Sequence, residues 1–404
     1  MLIDVAEWRQ DILEEHLEEL ESLWNRRLAM PRVATSDAVG LRRCDARIEA
    51  HSDALVLAGE AAWPLVSRAL LSGEAPLVAA AAMVIASSED PERDRQLIEV
   101  FPSANEGTQS GLRAALQLRC PSRLRAALTK LATSDAAVAA SGWSIVAVHG
   151  EKVAADRRAA WMNDNSPEVR RLVWQIEARS RDRRDSLARV DYLRAFDDPD
   201  RAVRAAALEA AARTAQPWFL DYLRSKAVGT SAQDMNGALF LAALGGPDDL
   251  PALLAIGDNQ DLGWFRFTVL ALCGRSQAVE ALLRVMQEGP PVDVALAGIA
   301  FFRITGIDVQ LPERIPLVPE GIPPDELSDE IKTCDPERAA RGWESIKSSM
   351  GTLRWVRGND VTSLAYDQLP HSLDLETRWS LQLRAAFEQP MANTSFDTER
   401  FPFT

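Results

Sequence analysis

Two stretches of this chain can be laid over one another: DNSPEVRRLVWQIEA from Asp164 and DPDRAVRAAALEAAA from Asp198. Each is an acidic turn followed by Val-Arg and then small or apolar residues at helical spacing. Val169-Arg170 falls on Val203-Arg204, and Ile176 falls on Ala210. Self-similarity of this kind constrains a chain more than any single motif. One short helix pair cannot cover its own apolar stripe, so each copy must bury it against the next.

Weaker copies extend both ways, beginning near Ala75, Gly107, Ala136, Pro167, Asp200, Ala232, Gly263 and Val292. Their interval stays near about 31 residues, the length of two short helices with their turns. Plausible first helices precede them, among them AAWPLVSRALL, PSRLRAALTKLA, PWFLDYLRSKA, DLPALLAIG and QAVEALLRVMQ. Pro and Gly fall between the segments, where turns belong. The pattern resembles the HEAT repeat. It predicts an all-α, HEAT-like α-solenoid, a right-handed superhelix of antiparallel helix pairs, with about eight pairs over residues 58–305.

The ends differ from the array. Residues 1–57 read as a helical N-terminal cap. In its first helix Ile12, Leu13, Leu17, Leu20, Leu23 and Trp24 form a stripe, with Glu14, Glu15, Glu18, Glu19 and Glu21 facing away. A second cap helix is expected over 38–57. Residues 306–334, with LPERIPLVPEGIPPDE, form a Pro-rich connection expected to be irregular or extended. A helical C-terminal region follows over 335–404. Asp335 is placed as an N-cap with Pro336 at the first helical position, and two further short helices are expected near 363–368 and 374–388. FFRITGID closes the last repeat, with Gly306 as a left-handed helix end.

The net charge of −14 sits at the ends. Residues 1–30 hold eight acids against Arg9, Arg26 and Arg27, and residues 306–404 hold seventeen acids against ten bases. Such flanks are repelled by phosphate backbones, which argues against nucleic acid as a partner. Only five Lys occur in the whole chain, so the cations are nearly all Arg, the residue suited to planar multi-donor pairing. No apolar run reaches the roughly 20 residues that cross a bilayer, and the opening MLIDVAEWRQ lacks the pattern of a secretory signal. A cytoplasmic protein without a membrane partner is expected. Cys44, Cys120, Cys273 and Cys334 lie far apart with no paired spacing, so reduced, buried thiols are expected.

Motifs that carry chemistry are missing. The four histidines, His16, His51, His149 and His371, stand in no metal-ligand spacing, and His16 is placed on a solvated helix face. There is no phosphate-cradling glycine loop and no nucleophile elbow. We therefore expect no catalytic residues, no metal and no cofactor. The recurring Asp164, Arg170, Asp198 and Arg204 are read as a ladder between repeats, acting through stability. Residues 157–213 hold thirteen Arg against ten acids, with Trp143, Trp161 and Trp174 nearby. A local excess that small does not sustain nucleic-acid binding. Of the eleven tryptophans, Trp63, Trp143, Trp174 and Trp264 fall on apolar stripes and are expected in the core. Trp218, Trp343, Trp355 and Trp379 fall at repeat edges or in the non-repeat end. Trp218, Trp343, Trp355 and Arg171 are taken as candidate partner contacts.

Several longer runs together resemble a family of proteobacterial HEAT-repeat-like proteins found near type VI secretion genes. They are DVAEWRQDILEEHLEELESLWNRR, ARIEAHSDALVLAGEAAWPLVSRAL, FFRITGIDVQLP, RWVRGNDVTSLAYDQLP and ETRWSLQLRAAFEQP. The likeness would cover nearly the whole chain, in order. It implies an adaptor, chaperone or immunity role toward a secretion effector or spike-associated protein. The family has no established activity, so no functional residues carry over. The expectation is thus a non-enzymatic protein-binding solenoid whose partner carries basic patches. The alternatives are a HEAT-like nucleic-acid-modifying enzyme, such as a DNA glycosylase relative, and a scaffold that binds a second copy of itself.

Overall fold

A computed structural model describes residues 10–30, 37–131, 135–179, 187–227, 235–317, 330–362 and 373–388. The fold is all-α and solenoid-like, with twenty α-helices and two short two-stranded sheets among those residues. The chain forms two compact units, which part at Thr214/Ala215 inside the repeat array, with Asp374–Trp379 also belonging to the first and Ser380–Glu388 to the second. Nothing in the repeat pattern marks that division.

The first unit begins with α1 (Gln10–Ala29) and α2 (Ala38–Ala58), which pack on each other. Leu13, Leu20, Leu23 and Trp24 form the buried stripe of α1, while Ile12 lies at its edge, 38% exposed. Asp37 starts α2 by accepting the Gly40 amide at 2.7 Å. His16, expected on a solvated face, is half-buried and hydrogen-bonded to His51 of α2.

Five helix pairs follow: α3 (Trp63–Leu70) with α4 (Ala75–Ser87), α5 (Pro91–Val100) with α6 (Glu106–Leu118), α7 (Ser122–Lys130) with α8 (Ala136–Val148), α9 (Ala155–Trp161) with α10 (Pro167–Glu177), and α11 (Arg189–Phe196) with α12 (Arg201–Arg213). The second helices pack in a row, α4 on α6, α6 on α8, α8 on α10 and α10 on α12. Their sequences show why. α4 is buried without a break from Val78 to Ala86, because a helix apolar all round must be covered on every side. α5 buries only Arg93 and Leu97, and α7 only Leu124 and Leu128, the narrow stripes of outer helices. Alanines and glycines set the spacing. A Cβ on Gly111 of α6 would stand 2.4 Å from the Ala75 carbonyl of α4.

Arg–carboxylate pairs join neighbouring repeats. In the first unit Arg93 pairs with Glu60 at 2.9 Å, Arg123 with Asp94 at 2.5 Å, and Arg170 with Asp198 at 2.8 Å. A buried cluster tightens the last two pairs of this unit: the Glu177 carboxylate, fully buried, accepts from Tyr192 Oη at 2.8 Å and from the Leu187 amide at 2.9 Å.

The second unit holds α13 (Phe219–Ala227), α14 (Met235–Leu244), α15 (Leu250–Asp258), α16 (Phe265–Cys273), α17 (Ser276–Glu288) and α18 (Pro291–Thr305). Here too the second helices stack, α14 on α16 and α16 on α18, and Arg224–Asp249 (2.7 Å) and Arg266–Asp293 (2.5 Å) tie successive pairs. Gly306 ends α18 with φ +73, the left-handed conformation a glycine adopts without strain.

Of the Pro-rich connection the structure describes 306–317 and 330–334, and its extended parts pair as strands. β1 (Gln310–Pro316) pairs antiparallel with β2 (Glu330–Cys334), from Gln310 opposite Cys334 to Pro316 opposite Glu330. Proline is tolerated because this is a two-stranded ribbon, in which each strand has a free edge. Asp335 then accepts the Arg338 amide at 2.9 Å and opens α19 (Pro336–Met350).

The segment after α19 runs across the carboxyl ends of three second helices. Arg354 donates to the carbonyls of Ala243 (2.5 Å) and Gly245 (2.8 Å) at the end of α14. The Trp355 amide donates to Gly274 O (2.7 Å) behind α16, and the Arg357 amide to Arg303 O (2.7 Å) in α18. Helix ends leave such carbonyls without partners, and this strap supplies them. β3 (Trp355–Val356) and β4 (Asn359–Asp360) close it as a hairpin. The last helix is α20 (Leu375–Glu388); the helix expected near 363–368 and the tail after 388 lie outside the described residues.

Candidate functional site

Because the second helices of the first unit run side by side, their first turns line up. Asn105 starts α6 by accepting the Thr108 amide (2.8 Å), Asp135 starts α8 through Ala137 (2.8 Å), and Asp200 starts α12 through Ala202 (2.8 Å). Ser166 stands at the same place before α10. Along this edge lies a groove of about 430 Å³, lined by Glu106, Gln109, Arg113, Ala137, Pro167, Glu168, Arg171, Asp200 and Ala202.

Side-chain size makes the groove. Ala137 and Ala202 are short where the flanking helices carry long charged residues. Across the gap left by Ala137, Glu168 of α10 reaches Arg113 of α6 at 3.0 Å. The same carboxylate is gripped by Arg171, with Nη2 at 2.7 Å and Nε at 2.9 Å. Arg113 is buried and also donates to Ser141 Oγ of α8 (3.3 Å) and Gln109 Oε1 (3.4 Å). One carboxylate thus holds two guanidiniums across three repeats. Glu106 and Asp200 bracket this centre with further negative charge. The lining sets acceptors and donors at fixed places along one groove, an arrangement suited to holding a polar segment in one register.

The residues singled out from sequence fall in different places. Arg171 lines the groove. Trp218 and Trp355 are half-buried in the second unit. Trp343 is 2% exposed inside α19, so it is withdrawn from the candidate contacts: its apolar ring packs inward, beneath Lys347 at 6.0 Å. In the proposed ladder, Arg170 meets Asp198 through Nε (2.8 Å) and Nη2 (3.0 Å). Arg170 also donates to Asp164 O (2.8 Å), and Arg204 donates to Asp198 O (2.6 Å), so the two copies grip their turns alike. The Asp164 carboxylate instead accepts the Ser166 amide at 2.8 Å. Burial pushes the Asp198 carboxyl up, but the Arg170 and Asp200 hydrogen bonds outweigh it and leave it below its ordinary value.

Trp174 is buried, and Arg157 lies over the rings of Trp143 (5.6 Å) and Trp161 (6.0 Å), so this aromatic and arginine set packs on itself. All four cysteines are buried free thiols, and burial pushes Cys120 up to about 12. Among the described residues no helix is long and apolar enough to cross a membrane.

Sequence reasoning missed Glu106, Arg113, Glu168 and Asp200. Glu106, Glu168 and Asp200 lie at or beside the starts of second helices, while Arg113 lies two turns further along α6, so no single repeat column holds all four and only the folded stack brings them together. No family model matches the chain, and no curated protein matches it.

Proposed function

We propose that this chain is a binding protein with no reaction of its own, and that the groove across α6, α8, α10 and α12 docks an extended segment of a partner protein. The observation that carries this is the Arg113–Glu168–Arg171 bridge over the small Ala137. It makes a rigid, charged trough where a packed stack needs none. Three carboxylates against two guanidiniums, on a chain of net charge −14, favour a segment with basic side chains directed at Glu106 and Asp200. Arg171 then receives a backbone carbonyl or an acidic side chain of the same segment.

The resemblance described above supports a secretion effector or spike-associated protein as the partner, with the chain acting as adaptor, chaperone or immunity protein. An immunity protein blocks the toxin's activity, whereas an adaptor bridges toxin and spike without blocking it. Mass spectrometry of proteins recovered with a tagged copy from the native host, at low and moderate salt, tests the reading. A partner released by salt and lost with Glu106→Lys and with Arg171→Ala supports it. Recovery of only the chain itself, or of nucleic acid, sinks it.

A further inference from the structure

The geometry points to a divalent transition-metal site formed by His16 and His51, of the class that takes Cu²⁺ or Ni²⁺. It lies apart from the groove and does not depend on it. α1 and α2 are held in register by a buried layer of Leu13, Leu20 and Trp24 against Ile48 and Leu55. At the rim of that layer the two half-buried imidazoles meet, with Nδ1···Nδ1 at 2.9 Å, ring centroids 5.1 Å apart and planes at 65°.

At that distance one ring donates its Nδ1 proton and the other offers a lone pair. A metal ion needs both lone pairs. The donor ring provides its own by moving the proton to Nε2, so the neutral pair binds metal without losing a proton. The separation also selects the ion. Two nitrogens near this separation, each about 2.0–2.1 Å from a common ion, subtend about 90° there once each ring turns its lone pair off the N···N line, where the hydrogen bond holds it, toward the ion. That is the cis angle of tetragonal and octahedral ions, whereas tetrahedral Zn²⁺ asks for nitrogens about 3.3 Å apart. Among divalent first-row ions Cu²⁺ also binds nitrogen most tightly. Glu15 and Glu19 add negative field at His51, and Arg47 opposes it while holding Glu19 at 2.9 Å. Among the described residues no set of three or more His, Cys, Asp or Glu could hold a metal ion. The ion would therefore complete its shell with water.

The test is titration of the tag-free full chain with CuCl₂, NiCl₂ and ZnCl₂ at pH 7.5 by calorimetry, with electron paramagnetic resonance of the copper adduct. We expect one Cu²⁺ per chain, a spectrum showing two imidazole nitrogens, and Zn²⁺ weaker than Cu²⁺ by at least about tenfold. His16→Gln and His51→Gln should each weaken Cu²⁺ by at least about tenfold, with circular dichroism unchanged. Arg47→Ala, which leaves both rings in place and frees Glu19, should tighten it. No stoichiometric uptake, a spectrum without nitrogen ligands, or uptake that survives both glutamine substitutions would overturn the site and leave the pair as a hydrogen bond.

Discussion

Arg354 places its guanidinium 2.5 Å from the carbonyl of Ala243, 111 residues earlier in the chain, at the carboxyl end of α14. Burial, more than the neighbouring Arg384, pulls its pKa down from the usual guanidinium value to about 9, and it still carries its charge at neutral pH. Among the described residues no carboxylate is hydrogen-bonded to it. The carboxyl end of α14 supplies part of the compensation, since the carboxyl end of a helix carries roughly half a negative charge, and Glu388 adds a favourable charge. Arg354 is therefore both a cap and a counter-charge.

Replacing Arg354 by Met should leave the Ala243 and Gly245 carbonyls buried without donors. At about 1–3 kcal/mol for each orphaned group, the loss should be on the order of 3–4 kcal/mol. Arg354→Lys reaches one carbonyl and should recover part of it. Urea unfolding of the three proteins measures the cost, and hydrogen exchange should show the last turn of α14 opening first. An Arg354→Met protein as stable as the wild type would show that the strap is dispensable.

Gly111 should not tolerate a methyl group. An alanine Cβ there would lie 2.4 Å from the Ala75 carbonyl and 2.8 Å from Val78 Cβ, so α4 and α6 must separate. Overpacking of this kind costs about 1–3 kcal/mol, against the roughly 1 kcal/mol that alanine gains over glycine inside a helix. Gly111→Ala should therefore lower the melting temperature. A rise would mean that the stack accommodates the methyl by sliding.

Asp198 and Arg170 should be worth more together than either loss alone indicates. Their side chains are 10% and 15% exposed, and Arg170→Ala leaves the Asp198 carboxylate with only the Asp200 amide and more distant cations. We expect a cost of about 2–3 kcal/mol for Arg170→Ala and less for the double replacement with Asp198→Asn. Because the folded pKa of Asp198 is lowered, the unfolded chain takes up the proton first as pH falls. The contribution is complete above the ordinary carboxylate value and disappears as pH drops through the lowered one. A double-mutant cycle repeated at pH 7 and pH 3 reads both.

The stack was legible because its signal is periodic. The starts read near Ala75, Ala136 and Pro167 coincide with α4, α8 and α10, and the Gly306 stop is a left-handed helix end. Outside the period, local signals such as the Asp335 helix start and the α1 stripe were legible too, but long-range contacts were not. The strap at Arg354 completes α14 from far along the chain, and no local pattern announces such a contact. The extended run at β1 was legible, but its pairing with β2 was not, because proline marks unpaired chain as often as an edge strand. Arg171 was picked for its residue type alone. The groove itself depends on Ala137, a residue noticed only when its long neighbours are seen to meet across it.

The His16–His51 contact should make the α1–α2 pair sensitive to mild acid. Burial, then the charge of His16, lowers the pKa of His51 from its ordinary 6.5; Glu19 and Glu15 act to raise it, and Arg47 to lower it. α4, which packs on both helices, carries no ionisable side chain. The folded pair has room for one shared proton between its facing nitrogens, not two, so the unfolded chain protonates first as pH falls. Stability should accordingly be full above the unfolded value and decline as pH drops below about 6.5, levelling once the lowered value is passed. His51→Gln removes this dependence. The difference in urea midpoint between wild type and His51→Gln should shrink from pH 7.5 to pH 5, a range above the titration of most carboxylates. A constant difference across that range would mean that the contact does not respond to protonation.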